Sequence, residues 1–196
     1  MMRRPLAAMS LILLVGACEA SGEEMFALSF GAFNSSPVVL TEFGIEGPMG
    51  PIGQPQLVAG DADGSLPRTG ATALLTSPGS GGADRSWRVQ AQWVELPTGR
   101  AYRAAVDVPV RRIETIESQK VLDIIFGPHG LFIVASDKLS DDYEITPNSL
   151  AGTCGTRVPA ADEDLRRRTD MFTQMDTIME GKPPFPARTD CPDPGR

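Results

Sequence analysis

The sequence is short of the side chains that do most enzymatic and metal chemistry. It holds a single histidine, His129, and three cysteines, Cys18, Cys154 and Cys191. A protein zinc site draws several His or Cys ligands together. One histidine between the turn-forming residues Gly127, Pro128 and Gly130 does not supply them and reads as part of a tight turn. The loop Asp61-Ala62-Asp63-Gly64-Ser65 opens like a calcium loop, but Leu66 and Thr72 stand where that pattern needs glycine and an acid. No G-x-S-x-G elbow is present: Pro78 precedes Ser80, and Asp63 precedes Ser65, where the first glycine belongs. Phosphate-binding and dinucleotide-binding glycine loops are also missing. The acidic pairs Asp141-Asp142 and Glu163-Asp164 read as solvated surface and a helix start. Arg166, Arg167 and Arg168 read as a wet helix face. We expect no catalytic residue, no cofactor and no metal, and a protein that is not an enzyme.

Positive charge is also scarce. Lysine and arginine number 18 against 25 acids, for a net charge of −7. An acidic body argues against nucleic acid as partner and against a polybasic membrane-docking face. No apolar run reaches the roughly 20 residues that span a bilayer. The longest, Leu6 to Val15, is too short. It follows Arg3 and Arg4 and leads into Gly16 and Ala17, which is the layout of an export signal.

The signal ends in Val15-Gly16-Ala17-Cys18. These four residues resemble a bacterial lipobox, in which the cysteine thiol takes a diacylglycerol and the chain is cut before it. Cys18 is therefore the expected lipidation site, with residues 1–17 as signal peptide and residues 18–24 as a polar tether. Loss of Arg3 and Arg4 moves the net charge from −7 to −9. Multiple acyl chains anchor stably where one does not. Glu19, rather than aspartate, follows the cysteine. In Gram-negative lipoproteins an aspartate there tends to retain the protein in the inner membrane, so its absence favours the outer membrane, facing the periplasm, with palmitate-type acyl chains expected on Cys18. In that oxidising compartment the two remaining cysteines, Cys154 and Cys191, are expected to pair. The bridge closes a loop of about 37 residues, worth on the order of 3–4 kcal/mol.

The rest, residues 25–196, reads as one mainly-β domain, an antiparallel β-sandwich of six or seven strands with one C-terminal α-helix. Phe26, Leu28 and Phe30 alternate with small residues. Val39, Thr41, Phe43 and Ile45 are expected to share a face, and the two segments to pair antiparallel across the turn at Asn34–Pro37. Residues 47–86, rich in glycine and proline, read as a long loop with one short strand in Ala71–Thr76. Trp87, Val89, Ala91 and Trp93 alternate with Arg88, Gln90 and Gln92. Tyr102, Ala104, Val106, Val108 and Val110 answer them across the turn LPTGR. The tryptophans read as core, with a sugar-stacking platform as the lesser alternative. Val121–Phe126 and Leu131–Ala135 form a second hairpin around Gly127–Gly130. Leu165, Phe172, Met175 and Met179, with Ile178 adjoining, predict a helix over about 162–180. Asp162 is its expected N-cap, and Gly181 and Pro183-Pro184 end it.

The stretch LSFGAFNSSPVVLTEFGIEG resembles the opening of a proteobacterial lipoprotein family of unknown function, DUF3304. Gly31, Phe33 and Asn34, then Ile45 and Gly47, carry the likeness. Trp87, Val89 and Trp93 and the hairpin DIIFGPHGLFIVASD continue it, over Phe26 to Asp137. The family often carries paired cysteines before the tryptophan strand, and SPGSGGADRSW has none, so the disulfide plan differs. The resemblance implies a protein-binding lipoprotein, of a kind often encoded beside type VI secretion lipase-like effectors. Immunity against such a toxin is the function it suggests. A structural envelope or secretion-machine accessory, and an unrecognised hydrolase or sugar-binding module, are the alternatives. The long loop Gly47–Ser86 and the acidic segment Ser140–Glu144 are the expected contact regions.

The anchor is directly testable. The parent chain should fractionate with membranes of a Gram-negative host, and Cys18→Ser should appear in the soluble periplasmic fraction. A Cys18→Ser protein that stays membrane-bound after export would remove the lipoprotein reading.

Overall fold

The structure, a computed structural model, describes residues 25–60, 66, 73–76, 85–116, 119–139, 145–162, 174–187 and 190–192. The signal, Cys18 and the tether lie outside these residues. Two β-sheets face each other. The first has the order β10-β9-β8-β1-β4, with β7 added to β8. Its strands are β1 (Met25–Ala32), β4 (Ala73–Thr76), β7 (Thr115–Ile116), β8 (Gln119–Phe126), β9 (Leu131–Leu139) and β10 (Ile145–Cys154). The second has the order β11-β6-β5-β2-β3. It holds β2 (Val38–Ile45), β3 (Gly50–Val58), β5 (Ser86–Glu95), β6 (Arg100–Pro109) and β11 (Thr156–Arg157). The expected mainly-β sandwich is the observed fold.

Alternation along the strands builds the core. Phe26 and Leu28 of β1, Leu122, Ile124 and Phe126 of β8, and Phe132 and Val134 of β9 face Trp87, Val89, Ala91 and Trp93 of β5. Tyr102, Ala104, Val106 and Val108 of β6 complete the layer. Both predicted hairpins are present, β5 with β6 and β8 with β9. Trp87 and Trp93 are fully buried, so they are core and not a sugar platform.

Three expectations about the strands need correction. First, β1 and β2 do not pair. The chain changes sheet at Asn34–Pro37, and β1 runs parallel to β8 and antiparallel to β4. Local alternation marks a strand but does not name its neighbour. Second, residues 47–86 are not one loop, since β3 fills Gly50–Val58. Its prolines, Pro51 and Pro55, are tolerated because, among the described residues, β3 is an edge strand that pairs only with β2. With β3, β4 and the short β7 and β11, the described residues hold eleven strands, more than the six or seven expected. Third, Val39 does not share a face with Phe43 and Ile45. The register of β2 slips between Leu40 and Glu42 on both neighbours. This bulge inverts the parity, so Val38 and Leu40 face inward before it, and Phe43 and Ile45 pack on the core after it.

The sandwich is closed on one side. Strand β10 belongs to the first sheet and β11 to the second, with Gly155 alone between them. A Cβ at Gly155 would stand 2.9 Å from Cη2 of Trp93 and 3.1 Å from Cβ of Tyr102. The Gly155 N–H donates to the carbonyl of Gly130 at 2.7 Å. Only a residue without a side chain lets the strand cross there against the aromatic core.

After β11 the chain leaves the sheets and wraps them. Residues 159–162 are helical, with Pro159 in the first helical position. The helix thus starts three residues before the expected cap at Asp162. The carboxylate of Asp162 instead accepts the Ala101 N–H at 2.7 Å and pairs with Arg157 at 2.7 Å. Leu165 and Phe172 lie outside the described residues. The short helix α1 (Met175–Met179) places Ile178 on Val39, Val94, Leu96 and Ala101, the outer face of the second sheet. Gly181 follows with a φ of 72°, as a helix stop requires. Lys182 Nζ then donates to Asn34 Oδ1 at 2.9 Å and to the Gly60 carbonyl at 2.8 Å. Finally Cys191 packs on Ile125, Leu131, Ile133 and Ala135, the outer face of the first sheet. It lies at disulfide distance from Cys154, with an S–S separation of 2.05 Å.

The tail is thus a strap from one outer face to the other, closed by the bridge. Removing the bridge with Cys154→Ala and Cys191→Ala should lower the unfolding free energy by about 3–4 kcal/mol, because it frees a loop of 37 residues. Urea titration of the oxidised parent and the variant checks this. Equal midpoints would show that the strap is held without it.

Candidate functional site

Three places concentrate polar or open apolar surface. The first is buried. Glu95 ends β5 on the same parity as Trp93, and its side chain is fully enclosed. Its Oε1 accepts the Gly130 N–H at 2.8 Å, and its Oε2 accepts the Thr98 hydroxyl at 2.8 Å. One carboxylate thereby joins the turn of the β5–β6 hairpin to the turn of the β8–β9 hairpin. Gly130 has a φ of 84°, and a Cβ there would stand 2.5 Å from the Tyr102 ring, so the turn needs glycine. Burial raises the Glu95 pKa above the usual carboxylate value, and its hydrogen bonds offset part of that rise. Burial and the nearby Glu95 charge raise Tyr102 as well.

His129 occupies the same turn in a left-handed conformation, with a φ of 59°. Its Nε2 lies 3.1 Å from the Pro186 carbonyl. A carbonyl only accepts, so Nε2 carries the proton. The ring stands edge-on to Phe185, with centroids 4.7 Å apart. His129 is therefore the turn residue expected, and it also docks the strap. Thr98 donates to Glu95 and so is held by it rather than activated toward a substrate. The arrangement clamps two hairpins and a tail. Among the described residues, no group of three His, Cys, Asp or Glu side chains could hold a metal ion.

The sequence reading missed Glu95, although its parity was a usable signal. It stands two residues after Trp93, at an inward position where a charge has to find partners. Asp123 was missed for another reason. It faces outward on β8, where a charge normally meets water, yet it is buried and accepts the Ser29 hydroxyl. Nothing along the chain marks a sheet whose outer face is covered too.

The second place is the outer face of β2, β5 and β6. Toward Val39 and Val94 the strap covers it. The other half carries a polar array. Gln92 Nε2 donates to Glu42 at 3.2 Å, and Arg103 Nη2 donates to Gln92 Oε1 at 2.7 Å. Arg103 also lies 3.4 Å from Glu42, and Arg88 lies 3.5 Å from Asp107. Beyond them Glu46 accepts the Arg88 N–H and pairs with Arg85 at 2.7 Å. Those bonds hold the Glu46 pKa below its ordinary value, the Arg88 backbone contact most of all. A shallow cavity of about 230 Å³ sits beside the array, between Gln90, Arg103, Ala105, Thr153 and Thr156.

The third place is an open apolar groove of about 290 Å³ between β1 and β4 of one sheet and β2 of the other. Phe26, Phe43, Ile45, Leu75 and Thr76 line it.

Of the residues expected to be functional, the cysteine pair Cys154 and Cys191 is brought together. Cys18, Asp61–Ser65, Ser80, the acidic segment Ser140–Glu144 and Arg166–Arg168 lie outside the described residues. No family model, no curated protein and no solved structure matches the chain.

The buried carboxylate gives a pH-dependent prediction. Glu95 has a folded pKa above its unfolded one, so its contribution to stability is present at low pH and lost as pH rises through the folded value. Glu95→Gln keeps an acceptor for the Gly130 N–H and cannot ionise. Its unfolding free energy relative to the parent should therefore move in the variant's favour from about pH 4 to about pH 8. A difference that stays flat over that range, in paired urea titrations, would contradict the assignment.

Proposed function

We propose that this chain is a lipid-anchored envelope lipoprotein whose sandwich acts by binding another protein. The specific form we propose is immunity against a secreted lipase-like toxin. The signal and Val15-Gly16-Ala17-Cys18 support the anchor, and the family resemblance supports the immunity role. The observation that carries the binding reading is the divided outer face of the second sheet. The strap covers its apolar half, and among the described residues the other half leaves Arg88, Arg103 and Asp107 exposed around the buried Gln92.

Open ionic side chains contribute little to stability, about 0–1 kcal/mol a pair. Arg88, Asp107 and Arg103 have side-chain exposures of 59%, 64% and 53%, so their pairs belong to that class. An array that is ordered yet worth little to the fold suits recognition. Its side chains are already positioned, so binding orders fewer of them. Charges of both signs fix register and partner choice more than affinity.

Arg103 is the residue to change. The processed chain, tagged and incubated with lysate of its native cells, should retain one soluble partner. Arg103→Glu, which places two acids against each other, should lose that partner while its unfolding midpoint barely moves. Retention of the same partner by Arg103→Glu would place the contact elsewhere. Capture of envelope-assembly components instead would point to the accessory role.

A further inference from the structure

The apolar groove sits where the anchor emerges. Phe26 is the second residue of β1, and Leu75 and Thr76 pair with Phe26 and Met25 across the β1–β4 ladder. Phe43 and Ile45 form the facing wall. Among the described residues Leu75 is the exposed large apolar side chain, at 40%. Among the described residues, only the Thr76 hydroxyl brings a side-chain polar atom to the lining. A hydrogen-bonding ligand would find little there, and a hydrocarbon chain would find a matched surface.

The length of chain ahead of β1 sets what is within reach. Seven residue steps separate Cys18 from Met25. At about 3.3–3.6 Å per residue they extend at most about 25 Å. A group on the Cys18 thiol is therefore within about 25 Å of Met25 and can reach the groove. A tether of that length gives an effective concentration in the millimolar range.

We propose that the groove between β1, β4 and β2 holds one acyl chain of the protein's own Cys18 anchor. This rests on the lipoprotein reading. The groove is open along its length, so the chain leaves it for a bilayer and returns when no bilayer is offered. It shelters hydrocarbon during passage through water, when each exposed methylene is unfavourable. No bond is made or broken.

The protein carries its own reporter. Trp87 lies against Phe26 with ring centroids 5.4 Å apart, and the other tryptophan, Trp93, sits among Phe126 and Phe132. The processed chain beginning at Cys18, with Cys154 and Cys191 oxidised, has one free thiol. Alkylating it with a long-chain alkyl maleimide that bears a nitroxide should quench the Trp87 emission. The quenching should be independent of protein concentration and absent from Trp87→Phe. Leu75→Glu and Thr76→Arg, both at exposed positions, should abolish it while the circular dichroism stays that of the parent.

Absence of quenching, or quenching that both variants retain, would overturn the proposal. Quenching that grows with protein concentration would mean that the chain seats in a second copy or a micelle, and would overturn it as well. The thiol is alkylated in the tube, so these outcomes do not depend on cellular lipidation. The mass of the protein recovered from cells tests the lipoprotein reading separately.

Discussion

Trp93 is the contact on which the two sheets depend. Its ring stacks on Phe132 at 5.6 Å, meets Phe126 at 5.1 Å and lies 6.0 Å from Tyr102. Two of those partners belong to the opposite sheet and one to its own neighbour strand. Each aromatic pair adds about 0.5–1.5 kcal/mol beyond the area it buries. The constraint spreads outward. The Trp93 ring leaves room at residue 155 only for glycine, and the Tyr102 ring does the same at residue 130. Those glycines are the crossing point between sheets and the turn that Glu95 holds. The closed side of the sandwich is in this sense built around one indole.

The strap follows from what that arrangement leaves uncovered. Each sheet has apolar residues on its outer face as well, Val39 and Val94 on one, Ile125 and Ile133 on the other. A two-layer sandwich would expose both patches. The tail covers each in turn, and Lys182 and Pro186 fasten it on the way across. The disulfide is then the end of a wrapped segment, not a staple within the core. This explains how a tail that leaves both sheets can stay docked.

The same geometry separates the places where the protein can meet something else. One side is shut by the strand that changes sheets. The other keeps an open apolar groove beside the first residues of β1. The polar half of the β2–β5–β6 face lies apart from both. The proposed partner contact and the proposed seat for the acyl chain thus lie on different surfaces.

Much of this was legible along the chain, because strand alternation is a local property. Trp87, Val89 and Ala91 declare an inward face by their spacing alone. Pro128 and Gly130 declare a turn by their backbone preferences. The cysteine pairing could be expected because only two cysteines remain after Cys18. What the chain could not declare is which strand neighbours which. The parallel partner of β1 lies nearly a hundred residues away, and the slip at Thr41 inverts a face without any unusual residue to mark it. Glu95 and Asp123 are buried because other segments arrive over them, and the groove exists because two strands from different sheets end side by side. Local sequence therefore determined the strands and turns, whose signals lie within a few residues. Tertiary structure decided the pairing, the buried charges and the surfaces, because those depend on long-range packing.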